Sequence, residues 1–179
     1  MDEEQFAVEN FNYRMKNCLR INPSFEGRLW TESEVKSLPG FNNRIYSSLI
    51  NKEDKWDYLK IILLLSEGGV FIENTYACLK DQKFLHKKAS FFIGLDSPNL
   101  KFKVQTIKTN LIGCSKANIV VKSWIDAFQR FFEIGEDRKE IESFYESYKG
   151  DFEGIFKAVF THLLLKSSDK VQNSMHVIA

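Results

Sequence analysis

The sequence lacks an excess of charge of either sign. It has 25 Lys and Arg residues against 24 Asp and Glu residues, so the formal net charge is +1. Proteins that hold nucleic acid or an anionic membrane through their overall field need a clear basic excess, and this chain has none. We therefore expect no nucleic-acid partner, and any phosphate-bearing ligand must be held by a local group of residues.

Cysteines and long apolar runs are also scarce. The three cysteines, Cys18, Cys78 and Cys114, are far apart and in no metal-like spacing, which favours free, partly buried thiols over disulfides or a zinc site. The acidic residues 1–5 lead into no apolar run of signal-peptide kind, and 61–65 is too short to cross a bilayer. We expect a cytoplasmic protein without a transmembrane segment, since a reducing compartment fits free thiols.

Several common catalytic motifs are missing. The sequence has no Walker-type glycine loop, no Gly-x-Gly-x-x-Gly, no His/Cys cluster and no Gly-x-Ser-x-Gly. These absences argue against nucleoside triphosphatases, Rossmann dehydrogenases, zinc enzymes and α/β-hydrolases. With 179 residues, of which 44% are hydrophobic and 14% aromatic, the chain is long enough for one domain with a sizeable core. We expect a single domain over 1–179.

The stretch 57–75 is the most informative part of the chain. Its first half is apolar on nearly every side, as in a helix that other elements cover. Gly68 and Gly69 then accept a left-handed backbone without steric cost and let the chain reverse closely against that helix. Residues 70–72 follow as an interior strand. That strand delivers Glu73, Asn74 and Thr75 to its carboxyl end, where open α/β sheets place ligand groups.

Helices and short strands alternate along the rest of the chain, which predicts a mixed α/β domain. Thr31 and Glu34 have the spacing of a capping box and open a further helix. Residues 51–54 serve as a polar link or cap before the central helix. Apolar residues at helical spacing predict helices over 6–19, 41–49, 119–132 and 150–165. The highly charged residues 136–148 predict a helix or a linker. Short apolar runs predict strands over 25–30, 90–95 and 104–112.

The central stretch resembles a known family. It matches the spacing Asp-x-x-Arg, seven helical residues, Gly-Gly-x-Tyr-x-Asp-x-Asp, which is the sugar-nucleotide core of the DXD-motif glycosyltransferases. That family includes initiating mannosyltransferases, capsular-polysaccharide transferases and, distantly, the clostridial glucosylating toxins. Two further segments, 22–31 and 110–115, are similar to the family's Asn-Pro-x-Tyr-x-x-x-Leu-Trp and acceptor-side Asn-x-x-Ile/Met-Gly segments. The matching core positions are Asp57, Lys60, Gly68, Gly69, Phe71, Glu73 and Thr75.

The resemblance implies a fold and an activity. The fold would be that of the nucleotide-diphospho-sugar transferases, a GT-A-like mixed sheet flanked by helices. The activity would be transfer of a hexose from a nucleotide sugar to a glycan or protein acceptor, with Mn²⁺ or Mg²⁺ and with retention of anomeric configuration. The resemblance assigns donor binding to Asp57, Lys60, Gly68, Gly69, Glu73 and Asn74, and metal binding to Glu73, Thr75 and the late histidine His176; it leaves the catalytic residue unassigned.

This sequence departs from the family pattern at chemically important positions. Lysine stands for arginine at position 60, and Glu73 and Thr75 stand for the two aspartates. Two carboxylates on alternate strand residues hold the metal that neutralises the diphosphate leaving group, whereas Thr75 offers only a neutral oxygen. The chain also lacks the Ile-Pro-Lys-Ile-Ile-His type strand that opens family members beside the nucleotide base. The alternative is therefore a degenerate, non-catalytic member that binds a sugar, a nucleotide or a protein.

Simpler interpretations of the same residues stay open. A carboxylate such as Asp57 in the first turn of a helix is favoured by the helix dipole. Lys60 would be a surface lysine whose stem covers apolar neighbours, and Glu73 would merely end a strand at the surface. A third functional interpretation, a helical interaction module without a ligand, requires the glycine corner and its spacing to be accidental.

Overall fold

The computed structural model describes residues 3–73, 77–81, 83–95, 107–134, 138–147, 155–166 and 176–178. Within these ranges the chain is a mixed α/β protein. The helices are α1 (Glu3–Ile21), α2 (Glu32–Lys36), α3 (Asn43–Ser48), α4 (Lys52–Glu67), α5 (Lys83–Lys88), α6 (Ile119–Gln129), α7 (Arg138–Ser147) and α8 (Ile155–Lys166), with a π-helical turn at Arg130–Ile134. The strands are β1 (Gly69–Ile72), β2 (Phe91–Leu95), β3 (Ile107–Cys114) and β4 (His176–Ile178).

The described strands form one sheet in the order β1-β3-β2-β4. The pairs β1·β3 and β3·β2 are antiparallel, and β2·β4 is parallel. Ile112 of β3 is opposite Phe71 on one side and Ile93 on the other, which brings three apolar side chains into one row. Strand β1 was expected in the interior of a sheet, but it lies at the edge of the sheet that the described strands form.

Helix α4 is the centre of the core. Every residue from Asp57 to Leu64 is buried, which confirms the prediction of a helix covered on nearly every side. Tyr58 lies 6.0 Å from Phe128 of α6 between ring centroids. Trp124 of α6 in turn stacks on Phe160 of α8, with 3.9 Å between centroids. Aromatic contacts of this kind join α4, α6 and α8 into one packed layer.

Asparagine N-caps begin three of the helices. The side chain of Asn42 accepts from the first backbone N–H groups of α3, Asn51 does so for α4, and Asn118 for α6. These caps satisfy donors that have no partner within a helix. Asn118 also donates to the carbonyl of Ser90, 2.8 Å away, and so fixes the start of α6 beside the start of β2.

Most of the expected helices are confirmed, including the Thr31–Glu34 capping box at the start of α2. Residues 25–30 form no strand, however, and the helix α5 at Lys83–Lys88 was not among the expected helices. Helix α4 begins at Lys52 rather than near position 57. Asp57 therefore lies in the second turn, where the helix dipole stabilises a carboxylate much less.

The expectation of three free thiols is wrong for two of them. Cys18 and Cys78 form a disulfide with 5.0 Å between their Cα atoms, and only Cys114 is free and buried. Sixty residues separate the bonded pair in the sequence, so no local pattern could show that the fold brings them together. Because two of the three cysteines are bonded, the cysteines do not indicate a reducing compartment. Among the described residues, no helix has both the length and the hydropathy that crossing a membrane requires.

Candidate functional site

The glycine corner after α4 is as tight as the sequence predicts. Gly68 has φ +69° and Gly69 has φ +91°, both in the left-handed region. A Cβ at Gly68 would lie 2.5 Å from the backbone nitrogen of Lys116, so no side chain fits there without a backbone shift. Nearby, the Ala117 N–H donates to the Leu65 carbonyl at 3.1 Å. The corner is thus closed against 115–117, and β1 returns along α4.

Ideal lengths of a helix and a strand put the carboxyl end of β1 at about the level of Asp57. From Gly68 to Glu73 an extended chain covers about 16 Å, and from Gly68 back to Asp57 a helix covers about the same distance. The observed contact agrees, since Lys60 Nζ lies 5.2 Å from the centroid of the Phe71 ring. Lys60 of α4 and Phe71 of β1, two of the positions that the family resemblance groups together, are therefore neighbours in the fold.

Asp57 and Lys60 bind each other. Lys60 Nζ lies 3.1 Å from Asp57 Oδ1, and the side chains are only 10% and 6% exposed, respectively. Lys60 is therefore not a surface lysine with its ammonium group in water. The ammonium group instead faces the Phe71 ring and the Asp57 carboxylate, which compensate part of the lost hydration. A ligand that contacts either residue must compete with this internal ion pair.

Glu73 is held by the neighbouring strand. The Glu73 N–H donates to the Asn110 carbonyl at 2.9 Å, and Asn110 Nδ2 donates to Glu73 Oε2. Because alternate strand residues share a face, Glu73 projects to the same side of the sheet as Phe71. Phe71 packs against the core and Ile112 opposite it is fully buried, so Glu73 projects to the side of α4. Glu73 is half-buried and is more than the exposed end of a strand.

The fit of this site to a divalent metal is partial. A carboxylate oxygen is the ligand that Mn²⁺ and Mg²⁺ prefer, and Glu73 Oε1 accepts no hydrogen bond from the residues that the structure describes. In the same ranges no three His, Cys, Asp or Glu side chains are close enough together to hold a metal ion. Asn74 and Thr75 lie outside the described residues, so their assignments stay predictions.

The third expected metal ligand, His176, is placed far from Glu73. In the register of the sheet, Phe92 is opposite His176 on one side and Gly113 on the other, and Gly113 is opposite Val70. Three strand spacings therefore separate β1 from β4, about 14 Å. The assignment of His176 to the metal stays a prediction to which this placement gives no support.

Asn110 is a residue of the candidate site that the sequence analysis placed elsewhere. It begins the segment 110–115 that resembles the acceptor side of the family's pocket, yet its side chain bonds the carboxylate of Glu73. A cross-strand pair depends on register. The register of β1 against β3 could not be derived from either strand alone.

Comparison with known proteins adds no relative to this description. No protein-family model matches the chain, and no curated protein matches it either.

Proposed function

We propose that this chain is a nucleotide-sugar-dependent hexosyltransferase domain of GT-A-like architecture, with the donor diphosphate at the carboxyl end of β1. The observation that carries the proposal is the grouping at this strand end. Glu73, oriented by Asn110, follows the strand whose Phe71 ring lies 5.2 Å from Lys60 Nζ of the Asp57–Lys60 pair. These are the positions at which the resembling family binds its donor.

Each residue has a role in this proposal. Glu73 and Thr75 would hold Mn²⁺ or Mg²⁺, which neutralises the charge that develops on the diphosphate leaving group. Asn110 is a positioning residue, because its amide fixes one oxygen of Glu73 and leaves the other for the metal. Asp57 and Lys60 bind the sugar or ribose of the donor. Gly68 and Gly69 permit the close return of β1.

The remaining features of the reaction rest on the resemblance alone. They are a glycan or protein acceptor, retention of anomeric configuration and the GT-A-like order of elements.

A second function, donor binding without turnover, is favoured by one specific observation. The family's arginine position holds Lys60, and that lysine is nearly buried in a pair with Asp57. A lysine lacks the bidentate grip of arginine on phosphate or carboxylate. In such a protein the site would recognise the nucleotide sugar but stabilise the departing diphosphate too weakly for transfer.

A turnover assay separates these functions. Purified chain is incubated with uridine- and guanosine-diphosphate sugars and Mn²⁺, and release of the nucleoside diphosphate is measured by chromatography. Hydrolysis that Glu73→Gln abolishes and Glu67→Gln preserves supports the transferase. Glu67 is a matched control because it is exposed and lies at the opposite end of β1.

Two other outcomes are equally informative. If the wild type binds a nucleotide sugar without hydrolysing it, while Thr75→Asp gains hydrolysis, the chain is the non-catalytic binder. If neither the wild type nor Thr75→Asp binds any nucleotide sugar, both forms of the proposal are wrong.

A further inference from the structure

Helix α1 is attached to the fold in an unusual way. The structure describes the side chains of residues 12–21 of α1. None of them belongs to the buried hydrophobic core or to the partly buried side chains packed against it. A Cβ at Gly27 would meet Met15 Sδ at 2.8 Å and Leu19 Cδ1 at 3.1 Å. These two side chains therefore lie against the backbone of Gly27, on a segment without helix or strand.

The Cys18–Cys78 disulfide links α1 covalently to residues 77–81. Cys18 lies in the last turns of α1 and is half-buried, while Cys78 is 4% exposed. Cys78 belongs to 77–81, which has no regular secondary structure, and its neighbour Leu79 is 86% exposed. The disulfide therefore joins the last turn of α1, whose described side chains lie outside the core cluster, to a segment without regular secondary structure.

We propose that the Cys18–Cys78 disulfide is a reducible clamp, whose cleavage by a thiol reductant releases α1 and 77–81 while the core around α4 stays folded. The device goes beyond the proposed function and does not depend on it. It makes the position of α1 conditional on the redox state of the surroundings. Cys78 follows Glu73 by five residues in the chain, so the clamp lies close to the candidate site in the sequence.

The chemistry of the clamp is ordinary thiol–disulfide exchange. The thiolate of a small dithiol attacks Cys18 Sγ, the more accessible sulfur, and Cys78 leaves as a thiolate that takes up a proton. The second thiol of the reagent then displaces Cys18. Two electrons and two protons pass to the cysteines, and the reagent becomes a cyclic disulfide.

Cys114 is not a competing partner for either cysteine. It is buried, and its Sγ donates to the Leu64 carbonyl at 3.5 Å. Burial also raises the pKa of the Cys114 thiol to about 12, which keeps it in the unreactive thiol form at neutral pH. Cys114→Ser is therefore a matched control for the loss of one sulfur.

Hydrogen exchange on the full-length protein, with and without a dithiol reductant, tests the clamp. Reduction should speed amide exchange in α1 by about 10-fold or more, because a locally opened helix exchanges without global unfolding. Peptides of α4 should keep their protection. Cys18→Ser should show the fast α1 exchange in both conditions, and Cys114→Ser should respond to the reductant as the wild type does.

Three results would overturn the proposal. One is a peptide map under non-reducing conditions that contains no linked peptide of Cys18 and Cys78. Another is α1 exchange that reduction leaves unchanged. The third is exchange in α4 that rises as much as exchange in α1, since the disulfide would then support the whole fold rather than clamp one helix.

Discussion

Asn110 and Glu73 are joined twice, once through the backbone and once through the side chains. The Glu73 N–H donates to the Asn110 carbonyl at 2.9 Å, and Asn110 Nδ2 donates to the Glu73 carboxylate. The backbone bond extends the pairing of β1 with β3 by one residue, and the side-chain bond sets the direction of the carboxylate. The end of β1 is thereby a fixed point from which a ligand group can be presented.

The interaction between the Asn110 and Glu73 side chains should give a measurable coupling energy. A hydrogen bond to a charged group contributes about 1.5 to 3 kcal/mol, so Asn110→Ala should destabilise the protein by an amount near the lower end, since Glu73 is only half-buried. A double-mutant cycle with Glu73→Ala, followed by urea unfolding, should give a coupling of at least about 0.5 kcal/mol. Additive effects of the two substitutions would show that the side chains do not interact.

Removing only one charge of the buried Asp57–Lys60 pair should strongly destabilise the protein. Lys60→Met leaves the Asp57 carboxylate buried without its cation, and such losses typically cost about 3 to 5 kcal/mol. The double variant Asp57→Leu/Lys60→Met should recover most of that stability, because both charges are gone. The exposed pair Lys122–Asp126 is the control, and its disruption should change the free energy of unfolding by less than about 1 kcal/mol.

The two corner glycines should differ in their tolerance of alanine. Both have positive φ, which costs a residue with a Cβ about 1 to 3 kcal/mol, but only at Gly68 would the added atom meet another backbone, at Lys116. Gly68→Ala should therefore destabilise by about 1 to 3 kcal/mol more than Gly69→Ala, which points its Cβ into open space. Equal effects in chemical unfolding would contradict the close approach.

The free energy of unfolding should decline at alkaline pH because of the Cys114 thiol. Burial raises the pKa of its thiol to about 12, above the unfolded value of about 8.5. The folded state thus holds the proton more tightly, so the stabilisation is complete below about pH 8.5 and declines as pH rises towards 12. The decline should be up to about 1.4 kcal/mol per pH unit. Cys114→Ala should lack this part of the decline, and parallel stability curves for both proteins between pH 8 and 11 would refute it.

The local features of the fold could be predicted from the sequence. The apolar run before Gly68 and the two glycines predict α4 and its reversal, because helix burial and left-handed backbone depend on neighbouring residues. Thr31 and Glu34 predict the capping box for the same reason. The strand that the sequence predicts over 25–30 is absent. The Met15 and Leu19 side chains of α1 lie against this segment at Gly27, a contact that neighbouring residues in the sequence do not indicate.

Features that depend on distant residues could not be predicted. The Cys18–Cys78 disulfide joins positions 60 residues apart, and the Asn110–Glu73 pair needs the register of two strands. Family spacing predicted a group of Asp57, Lys60 and Glu73 at the end of β1, and of its pairs the structure gives the contact between Asp57 and Lys60. It could not show that Lys60 and Asp57 bind each other, or that β4 places His176 at the far edge of the sheet.

The proposed function requires that the carboxyl end of β1 bind a nucleotide sugar through a metal held by Glu73. Calorimetric titration of uridine- and guanosine-diphosphate sugars, with and without Mn²⁺, tests it most directly. The wild type should bind one of them in a Mn²⁺-dependent way. Glu73→Gln should weaken that binding by about 10-fold or more because a metal ligand loses its charge, and Glu67→Gln should leave it unchanged. Equal affinities of the wild type and Glu73→Gln, or binding that ignores Mn²⁺, would contradict the claim.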